Sequence, residues 1–449
     1  MGISGEIDEM MDEMDDEDDE DTETRSIQEI VGMHGDHMKK LKSAVNGFLG
    51  ESNITHVSVI EPSYYGELLT WAVHKYINEN EWKIVNTLGY HMPGPIYIDV
   101  NTGCGESQNL IRNGCLLIAS ENEHLVVMIE ACHRGRSVAV IAGPACIQAK
   151  VHEFADGIQK IIKEKNFYRG GKFEFTGRIR FIDLPGKTLE DIILDPEIKN
   201  EIRANTIGFL RNREHLSGLG IPLKRGVLLV GEPGTGKTLL CKALMSEGTG
   251  ITCIMANAYA LGLDEYLTDL YELAQNLTPC IVFIEDIDLI AHNRMEWGYH
   301  HGPPLLALLA ALDGIEEHRD IVTVATTNYL ELLDKAIGQR PSRFDRVIKI
   351  PLPSMDQRRD LLSSLGRRIS MDSGICEYIA GKTGNLTPAQ IQEVVFSLVL
   401  ENSMNGHNGV NGHFDFSTAQ VDRAISALNG RCKNHIGFTP RVSDKNGEP

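Results

Sequence analysis

Apolar residues follow two different rhythms along this chain. Between 227 and 350 they gather into short, mainly apolar runs at 227–230, 251–255, 281–284, 321–325 and 347–350. Runs of that length with no polar alternation read as strands buried on both faces, the pattern of a parallel sheet covered by helices. Helical spacing intervenes: Leu239, Leu240, Ala243 and Leu244 form one stripe, and 266–275 another. Beyond 353 the pattern is helical only, through 358–368, 376–381, 388–401 and 417–428, with an Asn/Gly/His-rich loop at 402–415.

Upstream the pattern changes. Residues 56–60 alternate as a strand, and Tyr65, Leu68, Leu69, Ala72 and Tyr76 make a helical stripe. The runs 115–118 and 125–129 flank Ser120-Glu121-Asn122-Glu123 as a hairpin, 138–141 is a further strand, and Val151, Phe154, Ile158, Ile161 and Ile162 mark a closing helix. Residues 26–49 predict an amphipathic helix interrupted near 32–35, 173–184 predicts extended chain, and Ile198, Ile202, Ile207 and Leu210 predict a helix before the first parallel strand. The fold expected is therefore α/β: a parallel sheet with flanking helices and a C-terminal helical lid, preceded by a separate N-terminal α/β domain. The boundaries expected are an acidic tail at 1–25, the N-terminal domain at 26–180, the parallel-sheet part at 181–352, the lid at 353–429 and a loose tail at 430–449.

Composition narrows this reading. A chain of 449 residues exceeds what one core organises. Its net charge of -20 is concentrated at the start, where residues 1–25 hold 13 acids against one arginine and cannot bury enough apolar surface to fold. The mildly acidic remainder disfavours non-specific nucleic-acid binding. Nine scattered cysteines without a C-x-x-C pair suit a reducing compartment, mostly as small core residues. No apolar run reaches the ~20 residues of a membrane span, so the chain reads as soluble, cytosolic and without a membrane partner. Cys132 and His133 are adjacent rather than spaced as ligands, and His407 and His413 sit in a glycine loop, so neither pair argues for a metal.

One stretch carries chemistry. Gly231-Glu232-Pro233-Gly234-Thr235-Gly236-Lys237-Thr238-Leu239 follows a strand and opens a helix, matching G-x-x-x-x-G-K-[ST]. Glycines allow backbone N–H groups to turn toward phosphate oxygens, and a helix N-terminus adds positive potential. Lys237 would meet the β and γ phosphates of a nucleotide, and Thr238 would hold Mg²⁺. Glu285-Asp286-Ile287-Asp288 ends the apolar run at 281–284, where carboxylates handle the metal and the attacking water. Asn328 ends the run at 321–325 and could aim at the γ-phosphate or the water. Arg340 and Arg343, in Arg340-Pro341-Ser342-Arg343-Phe344-Asp345-Arg346, are candidates for reaching a neighbour's γ-phosphate.

Together these residues resemble the AAA ATPases within the AAA+ class, over about 185–400: Gly231 to Thr238 as Walker A, 281–288 as Walker B, Asn328 as sensor 1, Arg340 and Arg343 as arginine fingers. A narrower resemblance is to the mitochondrial translocase of the Rieske iron-sulfur protein and its soluble prokaryotic relatives. It is carried by Gly220-Ile221-Pro222-Leu223-Lys224-Arg225-Gly226, by the Glu285-Asp286 order, and by Leu386-Thr387-Pro388-Ala389.

The resemblance implies ATP with Mg²⁺, a homo-oligomeric ring of six or seven subunits, and hydrolysis coupled to movement of a protein client, with 26–180 handling client or adaptor. Most AAA proteins carry Asp-Glu in Walker B. Here Glu285 takes the metal side and Asp286 the position of the base. Threading motors carry an aromatic–hydrophobic–glycine tripeptide, which Ala258-Tyr259-Ala260-Leu261-Gly262 matches only loosely. Two rivals remain: a nucleotide-gated scaffold with little turnover, suggested by the swapped carboxylates, and a nucleic-acid motor, disfavoured by charge.

Overall fold

The computed structural model describes residues 27–433, apart from 51–52, 91–93, 104, 106, 122, 134, 259–263, 290–318, 331–343 and 405–413. The acidic tail, residues 434–449 of the C-terminal tail, Arg340 and Arg343, Tyr259 to Gly262, and both loop histidines lie outside the described residues, whereas 430–433, expected as loose chain, are helical. The chain divides into two compact units between Phe181 and Ile182.

The first unit opens with α1 (Ile27–Leu49), one uninterrupted helix rather than two. Glycine at 32 and 35 costs about 1 kcal/mol each in a helix interior but leaves the backbone hydrogen-bond ladder intact. There follow β1 (Ile54–Pro62), α2 (Gly66–Glu79), β2 (Lys83–Leu88), β3 (Ile96–Asn101), β4 (Ser107–Ser120), β5 (Glu123–His133), β6 (Arg136–Pro144) and α3 (Gln148–Glu164). The sheet is antiparallel in the order β1-β6-β5-β4-β2, with β3 also pairing to β4.

Both of its faces are covered. Leu41, Val45 and Leu49 of α1 share a core with Cys115, Leu117, Val126, Met128 and Val140. Strand alternation turns Leu116, Ile118, Val127 and Ile141 to the other side, where α2 and α3 pack. That double burial explains the nearly continuous apolar sequence of β4 to β6. The stretch expected as extended chain is extended in two short strands, β7 (Lys172–Phe175) and β8 (Ile179–Phe181), paired as a hairpin turned at Gly177 with φ 77°. Tyr168 holds it, its ring 5.7 Å from that of Phe181 and 5.8 Å from that of Phe173.

The second unit begins with α4 (Pro196–Asn205), α5 (Ile207–Arg211) and α6 (Arg213–Gly218), where the sequence pattern predicts a single helix. Then come β9 (Lys224–Val230), α7 (Lys237–Glu247), β10 (Thr252–Asn257), α8 (Asp264–Asn276), β11 (Cys280–Glu285), β12 (Ile321–Thr327) and β13 (Arg346–Lys349). The strands run parallel in the order β13-β9-β12-β11-β10. Their C-terminal ends therefore lie along one edge. Val227, Leu229, Phe283 and Val324 form the core with Leu240, Leu244 and Met245 of α7.

A helical group closes the unit: α9 (Met355–Ile369), α10 (Ser373–Lys382), α11 (Pro388–Met404) and α12 (Thr418–Lys433), packed through Leu362, Ile379, Ile391, Val395, Leu398 and Val421. Cys115, Cys241, Cys253, Cys280 and Cys376 are buried, as small core residues, whereas Cys146 is exposed. No described helix is long and apolar enough to cross a membrane, and the described residues hold no metal-binding His/Cys/Asp/Glu group.

One buried group makes the first unit acid-sensitive. Nε2 of His74, on α2, has no hydrogen-bond partner among the described residues, and burial lowers its pKa from 6.5 to about 4. The unfolded chain takes up this proton first as pH falls, so the neutral imidazole's contribution is complete above 6.5 and lost between 6.5 and 4. The loss is at most about 3 kcal/mol. Urea denaturation from pH 7 to 4 should show it, with a shallower slope in His74→Gln.

Candidate functional site

The edge formed by the strand ends collects the sequence-predicted residues from separate elements. β9 delivers the glycine loop, and Gly231 N–H donates to the Thr327 carbonyl at 3.2 Å, tying the loop to the neighbouring strand. A Cβ at Gly231 would stand 2.8 Å from the Ile350 carbonyl oxygen, so no larger residue fits. Gly234 and Gly236 have φ of 86° and 94°, a region open to glycine at little cost. The Gly236 position is the N-cap of α7, and a Cβ there would meet nothing within 4 Å. The loop's backbone is thus turned and open at the helix N-terminus, the geometry in which successive amides receive an anion.

Lys237 is the centre of the hydrogen bonding. It is 7 % exposed, and its Nζ donates to the Gly231 carbonyl at 2.6 Å, the Glu232 carbonyl at 3.2 Å and Asn328 Oδ1 at 2.7 Å. Burial pulls its pKa below the usual lysine value, opposed by the negative charges of Asp286 and then Asp288. Added negative charge would oppose that shift further, so the site favours an anion by the same physics that disfavours a bare cation.

Asn328 is positioned by a residue that sequence reasoning missed. Asp288, 2 % exposed, accepts from the Asn328 backbone N–H at 3.1 Å and its carboxamide at 3.5 Å. The only sequence signal was its place as the third acid in Glu285-Asp286-Ile287-Asp288.

The two consecutive acids at the end of β11 both act on α7. Glu285 raises the pKa of the buried Cys241 thiol after burial itself, and Asp286 acts on Lys237 one turn earlier. Glu285 Oε1 is buried with no hydrogen-bond partner among the described residues. A buried carboxylate oxygen left over is a hard donor of the kind that fits Mg²⁺, and the Thr238 hydroxyl on α7 would be a second. Asp286 has φ 54°, and its backbone N–H donates to Thr326 Oγ1 at 3.0 Å.

The segment of Arg340 and Arg343 returns to the described chain at Phe344 and Asp345. Asp345 accepts the Gly226 N–H of β9 at 2.7 Å, which pins the end of that segment to the loop-bearing strand. From the lid, the Ala389 N–H donates to the Gly234 carbonyl at 3.2 Å, and a Cβ at Gly234 would sit 2.9 Å from both Ala389 Cβ and Thr387 Oγ1.

Residues 227–352 match the protein family described as "ATPase family associated with various cellular activities (AAA)". The chain is 33% identical over 258 residues to an ATP-dependent zinc metalloprotease FtsH of Parabacteroides distasonis, covering 55% of this chain and 37% of that protein. It is 34% identical over 263 residues to a proteasome-activating nucleotidase of Sulfurisphaera tokodaii, covering 56% and 66%. A proteasome-activating nucleotidase of Methanoregula boonei gives 33% over 226 residues, covering 48% and 52%. The chain thus spans well under half of the metalloprotease's length.

The Asp288 bonds make a prediction independent of any ligand. Asp288→Ala leaves the Asn328 N–H and carboxamide without their acceptor and should lower the stability of the second unit by about 1–3 kcal/mol, measured by urea denaturation without nucleotide.

Proposed function

We propose that this chain, which carries an AAA ATPase domain, binds ATP with Mg²⁺, hydrolyses it as a homo-oligomeric ring of six or seven subunits, and couples hydrolysis to remodelling or translocation of a protein client. The observation that carries the ATPase reading is the convergence on Lys237: an open glycine loop, a buried ammonium, Asn328 and two acids meet at one sheet edge.

In this reading the backbone of Gly231, Glu232, Pro233, Gly234, Thr235, Gly236 and Leu239 surrounds the phosphates. Lys237 exchanges its carbonyl partners for β and γ oxygens. Thr238 and Glu285 hold Mg²⁺, which supplies charge neutralisation on the phosphates when bound. Asp286 orients the water and accepts its proton. Asn328, already bonded to Lys237, contacts the γ-phosphate. Arg340 and Arg343 act on the neighbouring subunit's nucleotide. The client reading is supported by similarity to an ATP-dependent metalloprotease and a proteasome-activating nucleotidase. The Glu285-Asp286 order and Leu386-Thr387-Pro388-Ala389, whose last residue touches the phosphate loop, support the finer likeness to the Rieske-protein translocases. A cytosolic location is part of the proposal.

Three measurements test it. Lys237→Ala should abolish the thermal stabilisation that ATP gives the parent, and a variant that still responds to ATP in full refutes the phosphate-loop reading. Asp286→Asn should keep ATP affinity and lose phosphate release, whereas retention of turnover by Asp286→Asn and its loss in Glu285→Gln would exchange the two roles. A parent that binds ATP without steady-state phosphate release would be the nucleotide-gated scaffold. Finally, Arg343→Ala should lower turnover by about 10³-fold or more with ATP affinity intact. Mixing it with Lys237→Ala should recover activity, because head-to-tail contacts let each defective chain lend its sound half to a neighbour. A monomer with full activity, indifferent to dilution, would end the ring reading.

A further inference from the structure

In an extended strand successive side chains point to opposite faces, so Glu285 and Asp286 should diverge. β11 ends at Glu285, however, and Asp286 lies outside the strand. What breaks the alternation is the left-handed backbone of Asp286, φ 54°, a conformation that costs most side chains about 1–2 kcal/mol and that Asp and Asn tolerate best.

That conformation is held by one residue of the adjoining strand. The β11–β12 ladder ends at the pair Ile284 and Ala325. Just beyond it, Thr326 Oγ1 accepts the Asp286 N–H at 3.0 Å and the Thr326 carbonyl accepts the Ile287 N–H, also at 3.0 Å. Leu289 N–H then closes onto the Asp286 carbonyl at 3.0 Å, completing the turn. Thr326 is 2 % exposed, so water does not compete for these bonds.

We propose that Thr326 is a positioning residue for hydrolysis: its hydroxyl oxygen fixes the left-handed turn at Asp286 and so brings the shorter acid to the side of the sheet where the phosphate loop lies. The proposal rests on the ATPase reading with Asp286 as base. It accounts for the Glu-Asp order in physical terms. A residue that must sit at positive φ is better an aspartate than a glutamate, and the turn supplies the reach that the missing methylene does not.

The test compares Thr326→Val, which keeps the shape and removes the acceptor, with Thr326→Ser, which keeps the acceptor, in the full chain with ATP and Mg²⁺. Expected for Thr326→Val is ATP affinity close to the parent's with turnover lowered about a hundredfold, the scale of a catalytic group displaced by about 1 Å. Thr326→Ser should stay close to the parental rate. In an Asp286→Asn background Thr326→Val should cause no further loss, because both changes remove the same positioned carboxylate. Should Thr326→Val fail to fold, by circular dichroism, Thr326→Ala takes its place.

Parental turnover in the hydroxyl-less variant overturns the proposal. So does Thr326→Ser as slow as that variant, or equal losses in affinity and turnover, which would mark a merely structural role. A parent that binds ATP but releases no phosphate fails the ATPase reading itself, a result told apart by the parent's own rate.

Discussion

The second unit depends on the burial of a single ammonium. Lys237 lies at the start of α7 with too little water for an isolated charge, and its position is tolerable because carbonyls of Gly231 and Glu232, Oδ1 of Asn328, and the charges of Asp286 and Asp288 surround it. These partners come from three different strand ends. Only a parallel sheet brings β9, β11 and β12 to one edge with the same polarity, so the fold's topology and the site's electrostatics are one constraint. Glu247, at the other end of α7, accepts the Leu189 N–H at 2.7 Å and pairs with Arg203 at 3.0 Å, which ties the helix to the segment preceding the sheet.

Much of this was legible in the sequence, and the limits are instructive. The glycine loop was legible because backbone turning and phosphate contact impose residue types at fixed local spacing. The parallel strands were legible because burial on both faces removes alternation. Asp288 and Thr326 were not, because their roles arise where β11 and β12 meet, 40 residues apart for the pair Asp286 and Thr326, and nothing local to either marks the contact. The strand order was equally hidden. It places Asn328 between the loop and the acids rather than beyond them.

Local propensity misled at one place and fell short at another. Gly32 and Gly35 argue for a break in α1 that helix hydrogen bonding overrides. The aromatic residues near 173–184 suggest extended chain, yet their packing on Tyr168 and a left-handed glycine fold part of it into a hairpin. In the first unit helices cover both faces of the sheet's central strands, β4 to β6, which contribute hydrophobic burial instead of a polar surface.

The contact between the lid and the loop sets a mechanical ratio. α11 has 17 residues, a rod of about 25 Å, and its first turn is hydrogen-bonded to the carbonyl of Gly234, with no room for a side chain between them. Were α11 to swing by about 10° about that end, Met404 at the far end would move through about 4 Å. Met404, Leu400 and Phe396 are 87%, 62% and 50% exposed along one side of the rod, so the end that would move farthest is also an apolar face.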